Sequence, residues 1–163
     1  MIQRISELEN ILGQLIAEHR KLLAYMETQQ GGMKKLDLQK MDETAQLQEA
    51  CRLRLSGLEQ RRRAVVAQIA KLARVEGNLT VTQIAALHPP RAAALLKLRD
   101  ELKSLAEQVR IRAHIAGRVA GAVLGHLNKV VRLLAGAVEK AGIYNKNGVP
   151  QVSKRIGLME TVG

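Results

Sequence analysis

The sequence predicts an all-α fold, an antiparallel coiled-coil-like bundle of three long helices with a short connector helix and an irregular C-terminal tail. Three observations support it. The 163 residues are 47% apolar but include no Phe, no Trp and only two Tyr, so aliphatic side chains must fill the core. Apolar residues recur at alternating spacings of three and four, as helical seams require. Pairs of Gly and Pro divide the chain. We expect a bundle domain at 1–142 and a flexible tail at 143–163.

The first helix is predicted over residues 2–29. A heptad seam runs along it and is broken only by His19. The seam consists of Ile5, Leu8, Leu12, Leu15, Leu22 and Met26. We expect Gly31-Gly32 to end the helix, because glycine commonly follows a helical C-terminus.

The second helix is predicted to begin at Asp37, whose carboxylate can accept hydrogen bonds from the free N–H groups of the first turn. Its seam continues through Leu47, Cys51, Leu55, Leu58, Val65, Ile69 and Leu72. Arg62 falls in a seam position and must either extend its charge to solvent or face a gap. Gly77-Asn78 is the expected end of this helix.

A connector over residues 79–90 leads to the third long helix. Thr80 or Thr82 can cap a short helix, and Pro89-Pro90 must end it, because residues before proline avoid the α region. The same prolines suit the first turn of the next helix.

The third long helix, predicted over 91–138, changes character along its length. Its first half has one seam, formed by Leu95, Leu98, Leu102, Leu105 and Val109. Its second half carries apolar residues on more than one face, so a single bundle seam cannot bury them all. Exposed apolar patches usually mark interfaces. We therefore interpret five residues as candidate partner-binding anchors: Val119, Val123, Leu127, Val130 and Leu134.

Small residues recur every four positions in the same segment, at Ala113, Gly117, Gly121 and Gly125. Each glycine costs a helix interior about 1 kcal/mol relative to alanine, so this close-packing strip needs a packing or binding role. Two alternatives remain. Either a helix of the bundle packs closely against the strip, or the strip receives a helix from a partner.

No catalytic or cofactor-binding pattern is present, and we expect neither an enzyme nor a cofactor. The histidines lack the short paired spacings of metal ligands. Cys51 lies in a seam and is expected to be a buried, inert residue. The stretch 115–134 is interrupted by Arg118, Lys129 and Arg132, so we expect no membrane insertion. With no signal peptide recognised, we expect a cytoplasmic protein.

The net charge of +11 raises the possibility of a polyanionic partner. The basic run Arg61-Arg62-Arg63 must point in three directions on a helix, because neighbours are about 100° apart. No aromatic residues alternate with it to stack on bases. Nucleic-acid binding is therefore the less favoured alternative, together with a structural role in an assembly.

The organisation of the chain resembles that of the FlgN-like flagellar export chaperones. LDLQKMDETAQLQEACRLRLSGLEQRR (36–62) resembles the family's second helix, and LTVTQIAALHPPRAAALLKLRDELKSL (79–105) its short helix, proline break and return helix. VVRLLAGAVEKAGIYNKNG (130–148) is similar to the family's end, an apolar helix followed by Tyr-x-x-x-Gly, here Tyr144 and Gly148.

This resemblance implies a cytoplasmic type III export chaperone. Its partners would be hook-associated (hook–filament junction) flagellar proteins and the flagellar export gate. Recognition would place an apolar helix of the cargo in a groove. Tyr144 and Gly148 would serve in docking to the export gate.

Overall fold

A computed structural model describes residues 1–142, and side chains within residues 1–136. These residues form four α-helices and no strand, which confirms the all-α fold. The helices are α1 (Ile2–Lys35), α2 (Leu38–Ala73), α3 (Val81–Leu87) and α4 (Pro89–Gly142). The chain divides into two compact units, Met1–Val119 and Ala120–Gly163, and the boundary falls within α4.

The core of the first unit is built on the predicted seam of α1. All six apolar seam residues are buried, and Ile11 and Ile16 widen the buried stripe. Residues from α2, α3 and α4 complete this core, including Val65, Ile69, Ile84 and Leu95. The predicted seam of α1 is thus confirmed.

Three long helical segments of the first unit alternate in direction. Cys51 donates to the backbone oxygen of Glu18, and Gln48 donates to Gln29, so residue numbers fall along α2 as they rise along α1. These two helices are therefore antiparallel. In the ion pairs between α1 and α4, residue numbers instead rise together along both helices. The first half of α4 is therefore parallel to α1. These pairs are Glu9–Arg91, Arg20–Glu101 and Glu27–Arg112.

The ends of α1 and α2 differ from the predicted ones. Gly31-Gly32 does not end α1, which continues to Lys35. Gly32 instead lies where α2 approaches α1: a Cβ there would lie 3.3 Å from the Cγ of Met41, so the Met41 side chain would have to shift slightly. The helix ends at Leu36, in the left-handed conformation at φ 55°. Its N–H donates to Met33, and that of Asp37 to Gly32, which is a Schellman motif.

A Schellman motif also ends α2, before the predicted Gly77-Asn78. Arg74 adopts φ 55°, and the N–H groups of Arg74 and Val75 donate to Lys71 and Ala70. Gly77 also has a positive φ, of 92°, but lies beyond the helix. Both endings were missed because neither uses glycine.

The seam of α2 is more polar than predicted. Leu47 and Leu72 were expected in the seam but are exposed. Thr44 and Gln48 are buried there instead. Leu47 lies about 100° round the helix from Gln48, which turns it away from α1. Leu72 directly precedes Ala73, the last residue of α2.

The remaining seam and capping predictions for these helices are confirmed. Asp37 accepts a hydrogen bond from the N–H of Lys40 at 3.0 Å. Thr80 and Gln83 form a reciprocal capping box at the start of α3. Half-buried Arg62 donates two hydrogen bonds to Glu59, at 2.8 and 2.6 Å, at the edge of the bundle. Along α4, Leu95 and Leu105 are buried, and the other seam residues are half-buried.

Leu36→Gly should stabilise the first unit. A non-glycine residue in the left-handed region costs about 1 kcal/mol or more, whereas the exposed Leu36 side chain contributes little burial. Glycine loses more backbone entropy on folding, so we expect a net gain of about 0.5 kcal/mol, measured by chemical denaturation. Leu53→Gly is the matched control, at an exposed Leu within α2. It should destabilise by about 1 kcal/mol. A loss of stability in both variants would contradict the explanation.

Candidate partner-binding surface

The described part of the second unit, residues 120–136, exposes most of its large apolar side chains. Among residues 120–136, six large aliphatic side chains are between 44% and 74% exposed. These are Leu124, Leu127, Val130, Val131, Leu133 and Leu134. Contiguous exposed apolar surface is uncommon on a monomeric soluble protein unless it binds something. This segment is therefore the candidate binding surface.

Four of the predicted anchors share one face of this segment. At about 100° per residue, Val123, Leu127, Val130 and Leu134 fall within an arc of roughly 60°. Their spacing of four, three and four is that of a heptad seam. Val123 is half-buried and the other three are exposed. The fifth, Val119, is half-buried and is the last residue of the first unit.

Other apolar residues extend this face on both sides. Leu124 and Val131 lie beside one edge of the arc, and Leu133 lies beside the other. We call this set the apolar face of α4: Val123, Leu124, Leu127, Val130, Val131, Leu133 and Leu134. It covers about half of the helix circumference, which is wider than a two-helix seam needs.

The strip of small residues is open. A Cβ added at Gly117, Gly121 or Gly125 would meet no other atom within 4 Å, and Ala113 is exposed. Close packing of a bundle helix against these glycines, one of the two alternatives, is therefore not found in the described part of the chain. Reception of a partner helix remains as the proposal for this strip.

A second surface lies on the first unit, between α1 and α2. It is a groove of about 570 Å³ whose apolar floor includes Ala17, Gly57 and Leu58. A charged cluster centred on Glu18 lines one side. The buried Glu18 carboxylate accepts from Lys21 Nζ at 2.7 Å, Arg54 Nε at 2.9 Å and Cys51 Sγ at 3.3 Å.

The Glu18 carboxylate has hydrogen-bond donors that stabilise its charge, as expected for a structural residue. The hydrogen bond from Lys21, followed by those from Arg54 and Cys51, lowers the pKa of Glu18 to about 2, although burial opposes the shift. Burial and the neighbouring carboxylate raise the pKa of the Cys51 thiol, so the thiolate is disfavoured. The prediction of Cys51 as a buried residue is confirmed. Sequence reasoning missed Glu18, because its spacing from Lys21 indicates only a surface ion pair.

The other residues singled out in the sequence have separate roles or positions. His19 is half-buried, and its Nδ1 lies 2.8 Å from the backbone oxygen of Leu15. Tyr144 and Gly148 lie outside the described residues. Within the described part, no group of three or more potential metal ligands occurs. The helices described also include none long and apolar enough to cross a membrane.

Comparison with known proteins gives one match. A protein-family model described as FlgN protein matches residues 1–151. The match covers all four helices and continues through Tyr144 and Gly148. Searches of curated proteins and of solved structures found no match.

Glu18 should make stability depend on acid pH. Its pKa in the folded state, about 2, lies below the ordinary value of 4.5, so ionised Glu18 stabilises the fold above pH 4.5. That stabilisation is lost as the pH falls from 4.5 towards 2. Because Lys21 and Arg54 are about half exposed, we expect a contribution of only about 1–2 kcal/mol.

Glu18→Gln tests this contribution by denaturant unfolding across that pH range. The variant should be less stable than the wild type at pH 7, and the difference should shrink towards pH 2. Glu107→Gln is the control, since Glu107 forms an exposed pair with Arg110 and its removal should change little. A difference that stays constant with pH would show that the Glu18 carboxylate charge does not matter.

Proposed function

Because the chain belongs to the FlgN family, which is a family of flagellar export chaperones and not of enzymes, we propose that it binds hook-associated (hook–filament junction) subunits in the cytoplasm and delivers them to the flagellar type III export gate. The observation that carries this proposal is the exposed apolar face of α4. The buried core lies in the first unit, whereas this face has the heptad spacing of a seam but exposes its residues.

The proposed mechanism is helix-in-groove recognition. The anchors Val123, Leu127, Val130 and Leu134 present the spacing that a partner helix needs for knobs-into-holes packing. Burying each anchor is worth about 1.5–3 kcal/mol. Association opposes this with a cost of about 4–15 kcal/mol. The burial of all four anchors together is comparable in free energy to the cost of association. Cargo affinity should therefore depend on each anchor.

Cargo binding of this kind explains how a chaperone keeps a subunit soluble. A cargo helix that awaits assembly exposes its own apolar face, and pairing with α4 covers both faces at once. Gly121 and Gly125 lie about 150–170° round the helix from the anchors, so the open strip is a separate surface that a cargo helix on the apolar face would not contact.

Delivery is proposed to depend on Tyr144 and Gly148, which lie outside the described residues. A Tyr ring can bury a large apolar area in a partner while its hydroxyl stays hydrogen-bonded. Asn145, Asn147 and Gly148 favour a turn that would present the ring. Docking of this segment on the export gate would leave the apolar face of α4 available to cargo.

Nucleic-acid binding has less support than cargo binding. The basic run does not form one surface, since Arg62 is held by Glu59 while Arg61 and Arg63 are exposed on either side of it. Salt separates the alternatives, because nucleic-acid affinity falls steeply as the salt concentration rises, whereas apolar cargo binding does not.

Val123→Glu combined with Leu127→Glu should abolish cargo binding. Two anchors are lost and two charges are introduced into the contact, so affinity for a purified hook-associated subunit should fall at least about 100-fold. Circular dichroism should show unchanged helicity, because Leu127 is exposed and Val123 only half-buried. Affinity can be measured by calorimetry and checked by co-elution.

The matched control is Leu47→Glu with Leu53→Glu, which changes two exposed leucines on α2. This pair should leave cargo binding intact. Equal loss of binding in both double variants would reject α4 as the cargo surface. Loss of helicity in the α4 variant would show that its side chains stabilise the fold instead.

Tyr144→Ala should separate delivery from folding. We expect a melting temperature within a few degrees of wild type, unchanged cargo affinity, and weakened binding to the purified cytoplasmic domain of the export gate. Tyr25→Ala is the converse control, because Tyr25 packs against the cluster of Leu22, Met26 and Cys51. It should lower the melting temperature and retain gate binding. A Tyr144→Ala variant that binds the gate normally would refute the docking role.

A further inference from the structure

Cargo packing on the anchors leaves two features of the second unit without a role. The apolar face spans about 180° of α4, from Leu133 round to Leu124, which is more than a single partner helix covers. The opposite half of the helix contains cations, and no acidic side chain occurs within residues 120–136. A broad apolar face opposite a cationic polar face is the pattern of helices that lie on membrane surfaces.

The cations of this segment lie on the side of α4 away from its apolar face. Measured from the centre of the four anchors, Lys129 lies about 130° and Arg132 about 170° round the helix. Both are exposed, and neither has an acidic partner within the described residues. A partner helix packed on the anchors would leave both cations in solvent.

A lipid surface, in contrast, would contact both halves of the helix. An α-helix with its side chains is about 10–12 Å across, so each half is about 5–6 Å deep. The headgroup layer of one leaflet is about 5–8 Å thick, because headgroups add about 10–15 Å to a hydrocarbon core of about 30 Å. With the apolar half below the acyl boundary, the polar half would lie within the headgroup layer. Lys129 and Arg132 would then lie among the lipid phosphates.

The charge of the second unit is complementary to anionic lipid. Residues 120–163 contain six basic and two acidic residues, which gives a net charge of +4. Lipid-binding segments contain about four to eight basic residues. The basic residues are Lys129, Arg132, Lys140, Lys146, Lys154 and Arg155, and the acidic ones are Glu139 and Glu160. Charge complementarity therefore favours an anionic over a neutral lipid surface.

A second copy of the chain would cover less of the apolar face. Two α4 helices that pack through the anchors bury a seam narrower than about 100°. Leu124 and Leu133 lie about 90° to either side of the centre of that seam, so both would stay in contact with water. A lipid surface covers the whole apolar half of the helix.

We propose that the second unit binds anionic membrane surfaces, with α4 lying in the plane of the surface and its apolar face directed into the lipid. Such binding needs no helix that crosses the membrane. The large apolar side chains of the face are all aliphatic, without the Trp and Phe of many surface helices, so binding should require anionic lipid. This proposal goes beyond cargo binding and does not depend on it. On this face a cargo helix and a lipid surface would exclude each other.

The test titrates the full-length chain with vesicles of phosphatidylcholine alone, and with vesicles of equal parts phosphatidylcholine and phosphatidylglycerol. Bound protein is measured by co-sedimentation. We expect binding to the anionic vesicles and at least about tenfold weaker binding to phosphatidylcholine. Binding should weaken at about 1 M salt, where the Debye length is only about 3 Å. No binding to the anionic vesicles, or equal binding to both kinds, would overturn the proposal.

A single introduced Trp reports which face meets the lipid, since the chain contains none. Leu127→Trp places the indole on the apolar face, and Asn128→Trp places it about 130° from the centre of the anchors. With anionic vesicles, the emission of the Leu127→Trp variant should move to shorter wavelength, and that of Asn128→Trp should move less. An equal shift in both variants, or no shift in Leu127→Trp, would contradict the proposed orientation.

Lys129→Gln with Arg132→Gln should weaken binding to the anionic vesicles about tenfold or more, because each basic residue near the surface contributes about fivefold. The matched control is Lys97→Gln with Lys103→Gln, which removes the same charge at exposed positions in the first half of α4. The control should bind as the wild type does. Equal weakening in both variants would assign binding to net charge alone and reject the proposal.

Val123→Glu with Leu127→Glu should abolish vesicle binding, whereas Leu47→Glu with Leu53→Glu should retain it. Vesicle binding that survives in the Val123/Leu127 variant would show that the apolar face does not enter the lipid. Self-association without vesicles, if Leu127→Glu abolishes it, overturns the proposal in favour of a second copy. These assays contain no hook-associated subunit, so a negative result leaves the proposed cargo function to its own test.

Discussion

The seam between α1 and α2 sets the positions of the other elements of the first unit. Ile5, Leu8, Leu12 and Leu15 are almost completely buried, and the residues of α2, α3 and α4 pack around them. Polar contacts then fix the register of that seam. Gln29 meets Gln48, and Glu18 meets Cys51 and Arg54. Because an unpaired buried carboxylate is costly, sliding one helix along the other would be penalised by Glu18 in particular.

Much of this architecture could be predicted because it follows from local rules. The 3–4 spacing gives the α1 seam, and the side chains of Asp37 and Thr80 cap helices through contacts only three residues away. The failures concern features that depend on the folded chain. Leu36 and Arg74 adopt left-handed conformations that their residue types disfavour, and the Schellman hydrogen bonds hold them there. Gly32 was predicted to end α1, but it lies within the helix, beside the side chain of Met41.

The exposure of the candidate surface was predictable to a different extent. A surplus of apolar residues in the second half of α4 indicates exposed surface regardless of how the helices pack, so the anchors could be proposed from the sequence. The seam of α2 could not be read equally well, because Thr44 and Gln48 occupy buried positions while Leu47, beside them, is exposed. The Glu18 cluster could not be predicted from the sequence for the same reason. Its partners come from two helices, and only the register between them brings the groups together.

The two units share the heptad spacing of apolar residues but differ in how those residues are covered. In the first unit, residues at heptad spacing on α1 are covered by other helices of the same chain. In the second, Leu127, Val130 and Leu134 keep that spacing and remain exposed. Gly121 and Gly125 together cost the helix about 2 kcal/mol relative to alanine, and an added Cβ at either would meet open space. Isolated helices gain little stability from propensity alone, so a partner helix that buries the apolar face would stabilise this segment. Under the proposed function, bound cargo would stabilise this helix, so a substitution that abolishes cargo binding should also abolish the stabilisation that cargo confers.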